Sequence, residues 1–219
     1  MRVPSKVRQY FLLDQKKLNN KFSLKISKEY ETELFNNINI IENIKDINFK
    51  KNFILSALNL AFLGSLAKGE IELNKNLINW PDGIFSKLIK KKIKKIPGRK
   101  VLTDLLITKD IKRIIVLGNL SKNSADYLKR NFNLPIIHKT LPFGSVDKIT
   151  KKINFQINYH DLIFLTLPTP KQEQIANYLM KKNKFFKIIC IGGSIGIVSG
   201  DEKEVPKFLY YFEFLWRLR

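Results

Sequence analysis

Trp80-Pro81-Asp82-Gly83 puts a carboxylate on a tight turn directly after an apolar run. Followed by a glycine that frees the backbone, such a carboxylate can reach into a crevice and take a proton from an attacking hydroxyl. The same residue types also favour turns for backbone reasons alone, so this tetrapeptide by itself does not make Asp82 a base. Other chemistries find less support. Gly192, Gly193 and Gly196 lack the G-x-G-x-x-G spacing, and neither a G-x-x-x-x-G-K-[ST] loop nor a G-x-S-x-G elbow occurs. His138 and His160 stand apart, and no two aspartates are separated by one position, as metal-dependent sugar transferases commonly require. Dehydrogenase, P-loop and serine-hydrolase chemistry all lose weight on these grounds.

The elements that would position Asp82 read as alternating strands and helices. Apolar runs at 113–117, 135–138, 161–167 and 187–191 each precede a turn signal and then a helical pattern, the signature of βα units feeding a parallel sheet. Ser121 and Ser145 suit helix N-caps, and Pro170 suits the opening of a helix through Lys171 to Leu179. Earlier in the chain, 53–58 reads as a strand leading through Asn59 into a helix, and 77–80 as a strand ending at Asp82. The weaker periodicity of the first 50 residues suggests a strand at 22–26 and a helix over 29–44, while Val205-Pro206 opens an aromatic-rich helix over 208–218. The expected fold is a three-layer, Rossmann-like α/β domain with a mostly parallel sheet and helices on both faces. An N-terminal segment, 1–50, packs on a main domain, 51–219, in one compact unit.

Ligands of open parallel sheets bind at the carboxyl ends of the strands. That rule selects the loop after Trp80, the loop around Gly118, the loop Pro168-Thr169-Pro170, and Gly192-Gly193-Ser194. Backbone N–H groups and helix ends there suit a nucleotide diphosphate without a dedicated motif.

Composition narrows the setting. The 219 residues are 44% hydrophobic and 27% charged, a balance that folds and does not need disulfides. Cys190, the only cysteine, lies in an apolar run, consistent with a reducing compartment. The N-terminus lacks the apolar stretch of a secretory signal, and the most apolar window, 53–67, is too short to span a bilayer. A net charge of +21 favours anionic partners, although lysine is used heavily along the whole chain. One cluster is dense: Lys87, Lys90, Lys91, Lys92, Lys94 and Lys95 could meet an anionic membrane at about 1 kcal/mol per basic residue. Read from charge alone, the chain could instead be a non-catalytic basic module that binds nucleic acid.

Pro81-Asp82-Gly83, Pro170-Lys171-Gln172-Glu173, Gly192-Gly193, Gly200 with Pro206, and Glu213-Phe214-Leu215-Trp216-Arg217-Leu218 occur in that order. Together they resemble the WecG/TagA/CpsF family of bacterial glycosyltransferases over about residues 53 to 218. The resemblance implies transfer of an N-acetylmannosamine-type or related sugar from a UDP donor to a polyprenyl-diphosphate-linked acceptor, at the cytoplasmic face of the membrane, with no cofactor. It makes Asp82 the general base of an inverting, metal-independent reaction. Asn59 resembles the Asn of a Thr-x-Asn substrate motif, and Gln172 and Glu173 match a Pro-Lys-Gln-Glu donor motif. Thr103 and Asp104 resemble the end of a Gly-x-Asp-Leu motif, with Arg99 as the basic residue preceding it, and Arg217 could meet a diphosphate. Ala57, Leu102, Pro168, Gly196 and Glu204 depart from the family's Thr, Gly, Gly, Asp and Arg. A homologue that binds donor without turnover is therefore a further alternative. The sequence ends at Arg219, where many relatives continue with a basic segment; on this reading the subgroup manages without it or another chain supplies those groups, and a homo-oligomer is compatible with either.

Overall fold

The computed structural model describes residues 37–83, 93–153, 156–183 and 185–203. Seven strands form one sheet: β1 (Asn39–Ile40), β2 (Phe53–Leu58), β3 (Leu77–Pro81), β4 (Arg113–Gly118), β5 (Ile136–Lys139), β6 (Asp161–Thr166) and β7 (Lys187–Cys190). Their order is β1-β3-β2-β7-β6-β4-β5, and every pairing is parallel. Six α-helices lie among the described residues: α1 (Leu60–Ala67), α2 (Gly98–Asp104), α3 (Lys122–Phe132), α4 (Val146–Lys151), α5 (Lys171–Lys182) and α6 (Ser194–Ser199).

A parallel sheet needs cover on both faces, which is why its central strands are continuous apolar runs. Along β2 the side chains alternate between two cores. Ile54 and Leu58 join Phe62 and Leu66 of α1, Ile149 of α4, and Ile175 and Leu179 of α5. Phe53, Leu55 and Ala57 join Val101 and Leu102 of α2, Leu128 of α3 and Ile195 of α6. The result is the expected three-layer α/β architecture. Ser121 and Ser145 cap α3 and α4, accepting the N–H groups of Ser124 and Lys148. On the sheet's amino-terminal edge, Asp161 holds Arg113 through Nε at 2.6 Å and Nη2 at 2.8 Å, tying β6 to β4.

Two local expectations change. Residues 37–43 are not helical: β1 pairs with β3, and Asn43 caps a 3-10 turn at Ile44–Asp46. Burial of Ile38 and Ile44 against the sheet outweighs the weak helical periodicity. The strand expected at 135–138 moves on by one residue, because Pro135 has no N–H to donate to the ladder and supplies only its carbonyl, to Ile114 N–H at 2.9 Å. Helices α2 and α6 carry no side-chain N-cap, and α6 follows β7 as the helical pattern expected after 187–191. The expected strand at 22–26, most of the expected helix at 29–44 and the expected helix at 208–218 lie outside the described residues.

Candidate functional site

The strand order places β7 between β2 and β6, so chain segments far apart in sequence end side by side. A cavity of about 560 Å³ opens over the carboxyl ends of β2, β3, β6 and β7. That volume suits a small-molecule ligand.

Asp82 lines this cavity and is half-buried. Its position follows from two backbone bonds that close the ends of β2 and β3. Asp82 N–H donates to Leu58 carbonyl at 3.1 Å, and Ile96 N–H donates to Pro81 carbonyl at 2.7 Å. Its Oδ1 accepts Gly83 N–H at 2.8 Å, which fixes the carboxylate's orientation, and Gly83 takes a φ of +73° that a glycine adopts freely. The tetrapeptide is therefore both a good turn and a wall of the cavity.

Asn59, at the end of β2, also lines the cavity. Its Oδ1 accepts Phe62 N–H at 3.0 Å as the N-cap of α1, which leaves its amide N–H groups without a partner among the described residues. Arg99 enters from the start of α2, beside Lys95. The start of α2 packs closely on α6, since a Cβ at Gly98 would collide with Ser194 Oγ.

Gln172 and Glu173 play unequal parts. Gln172 lines the cavity from the first turn of α5 and bridges two loops: its Oε1 accepts Gly192 N–H at 3.1 Å, while its Nε2 donates to Thr169 Oγ1 at 3.2 Å and Glu173 Oε1 at 2.9 Å. Glu173 does not line the cavity and is 1% exposed behind it. Its Oε1 accepts Ser56 Oγ at 2.6 Å, Thr169 Oγ1 at 3.1 Å and Gln172 Nε2, while its Oε2 is buried without a partner among the described residues. Burial raises the Glu173 carboxyl above its ordinary range, against the lowering effect of Ser56 and its other donors. Burial likewise pushes the Cys190 thiol well up, with the Glu173 charge adding to it. Cys190 is thus held as a neutral wall residue.

Gly192 and Gly193 line the cavity. The Gly192 N–H is already committed, to Leu165 carbonyl at 3.1 Å and to Gln172, so Gly192 shapes the wall with its backbone at φ +51°. Gly118, Thr103 and Asp104 lie away from the cavity. Gly118 ends β4 at φ +121°, and its carbonyl is 2.8 Å from His138 Nε2. Thr103 Oγ1 donates to Lys100 carbonyl at 3.2 Å and Asp104 Oδ1 at 3.1 Å on the far end of α2. Arg217 lies outside the described residues, as do Lys87, Lys90, Lys91 and Lys92 of the basic cluster.

Trp80, Lys95, Glu202 and Lys203 also line the cavity without having been singled out as site residues, and Ser194 lines it from the loop that the strand-end rule selected. Lys95 had only a place in the basic cluster, and in the loop after α6 the sequence marked Gly200 but neither Glu202 nor Lys203. Among the described residues no three His, Cys, Asp or Glu side chains are grouped to hold a metal ion, and no helix is long and apolar enough to cross a membrane.

Residues 39–219 match the Glycosyl transferase WecG/TagA/CpsF family. The chain belongs to this family. No curated protein matches it. Membership in the WecG/TagA/CpsF family makes it a glycosyltransferase of cell-surface polysaccharide synthesis.

Proposed function

We propose that this chain moves a sugar of the N-acetylmannosamine type, or a related one, from a UDP donor to a polyprenyl-diphosphate-linked acceptor, by inversion and without a metal. One observation carries the reading: the Asp82 carboxylate lines the same cavity as Arg99, Lys95 and Gln172. Asp82 takes the proton of the acceptor hydroxyl as that oxygen attacks the anomeric carbon. The bond from that carbon to the UDP oxygen breaks with its electron pair going to UDP, and the configuration inverts. Lys95 and Arg99 stabilise the charge that develops on the departing diphosphate. Gln172 and the Asn59 amide hold the donor.

A lipid-linked acceptor places the reaction at a membrane surface, and the lysines from Lys87 to Lys95 are the proposed attachment to its anionic inner face, by salt-sensitive electrostatics. The deciding experiment supplies a panel of UDP-sugars with a polyprenyl-diphosphate-linked sugar and measures UDP release. Acceptor-dependent release is the expected result. Absence of release, together with no thermal stabilisation by UDP or any UDP-sugar, would overturn the proposal.

A further inference from the structure

Glu202 stands in the loop after α6, next to a residue that fixes that loop firmly. The Asp201 carboxylate accepts hydrogen bonds from Ser121 Oγ, Asn123 Nδ2 at 2.8 Å, Ser124 Oγ at 2.9 Å and Ser199 Oγ at 2.7 Å. These donors hold its pKa down to about 2 and tie the loop to the start of α3. Glu202 N–H donates to Gly196 carbonyl at 2.9 Å, anchoring the next residue to α6.

The Glu202 side chain then lies over the start of α6, on the cavity wall. A Cβ built on Gly196 would sit 3.2 Å from its Cγ, Cδ and Oε1, and one on Gly193 would sit 3.8 Å from Oε1. The contact at Gly196 is tight and that at Gly193 is ordinary van der Waals packing, so the Glu202 side chain lies directly against the start of α6. Among the described residues the carboxylate accepts no hydrogen bond and forms no ion pair. It is an acceptor on a backbone-anchored loop, facing a cavity and without a protein donor among the described residues.

A carboxylate offers only acceptors. It repels a diphosphate and, with two oxygens side by side, suits two neighbouring hydroxyl donors. We infer that Glu202 binds the donor substrate by accepting hydrogen bonds from a vicinal diol, either on the ribose or on the transferred sugar. This rests on the proposed nucleotide-sugar reading of the cavity.

The test measures binding of UDP and of UDP-N-acetylmannosamine to the full chain by calorimetry, for wild type, Glu202→Ala and Glu202→Gln, with melting temperatures confirming the fold. A charge-assisted hydrogen bond lost from the site predicts about 10- to 100-fold weaker binding for Glu202→Ala, with Glu202→Gln between it and wild type. Equal loss for both ligands assigns the ribose diol, and loss for the UDP-sugar alone assigns the sugar diol. Unchanged or tighter binding of both ligands by Glu202→Ala, the result expected of a carboxylate that only repels the diphosphate, overturns the inference and leaves the proposed function standing. A wild type that binds neither ligand overturns the proposed function, and this inference with it.

Discussion

Gln172 Oε1 accepts the backbone N–H of Gly192 at 3.1 Å, so one side chain on α5 sets the position of the loop that follows β7. The opposite end of the same amide holds Thr169 and Glu173. Gln172→Ala removes all three bonds at a site only 4% exposed. A buried network broken in this way is expected to lose about 1–3 kcal/mol of stability. Urea denaturation measures it, and a cost below about 0.5 kcal/mol would show that the bridge does not hold the loop. The donor KM is expected to rise in parallel, because both loops line the cavity.

Glu173 supplies a pH signature. Burial raises its folded pKa above the ordinary 4.5, so the folded state binds this proton more tightly than the unfolded chain does. Its contribution to stability is fully present below about pH 4.5 and is lost as pH rises through the folded value. Glu173→Gln preserves an acceptor for Ser56, Thr169 and Gln172 but cannot ionise. The melting temperature of the variant relative to wild type should therefore move in the variant's favour between pH 4.5 and 8. A pH-independent difference would mean that Glu173 carries no raised pKa.

Most of the sheet was legible in the sequence because its strands are apolar on both faces and are followed by recognisable caps. The strand over 53–58 and the Ser121 and Ser145 caps are observed as expected. What escaped depends on topology. Glu202 and Lys203 reach the cavity only because β7 is inserted beside β2, a placement that local patterning does not encode. Helices α2 and α6, with Pro97 and Gly193 at their N-caps, offer no side-chain cap to read. The Pro-Lys-Gln-Glu motif falls at the cavity wall, yet a motif cannot distinguish a lining residue, Gln172, from the buried residue behind it, Glu173. At Gly118 the strand-end rule selected a position whose observed contacts are those of backbone packing.

Gly118 permits a direct check of that packing. At φ +121° a side chain is strained, and a Cβ would lie 2.5 Å from Thr166 Oγ1 on the neighbouring strand. Gly118→Ala is expected to cost about 1–3 kcal/mol in thermal or urea unfolding. Its donor KM should stay close to wild type, since Gly118 does not line the cavity. A selective loss of donor affinity at unchanged stability would instead assign Gly118 to the substrate.

Asp82→Asn separates the chemistry from the turn. An asparagine keeps an oxygen that can accept Gly83 N–H, and the backbone bond from residue 82 to Leu58 carbonyl does not involve the side chain. The fold and the donor affinity should therefore persist, with a melting temperature within about 2 °C of wild type if the stability change stays below about 0.5 kcal/mol. What the amide cannot do is take a proton from the acceptor hydroxyl as it attacks. Loss of a positioned general base predicts a fall in kcat of about 10²- to 10⁴-fold, measured as acceptor-dependent UDP release at saturating donor. A variant that kept kcat within about threefold would remove the base from Asp82, because an effect that small lies far below what general-base catalysis contributes. Glu202 is the other carboxylate among the residues lining the cavity, and would then have to be tested in the same assay.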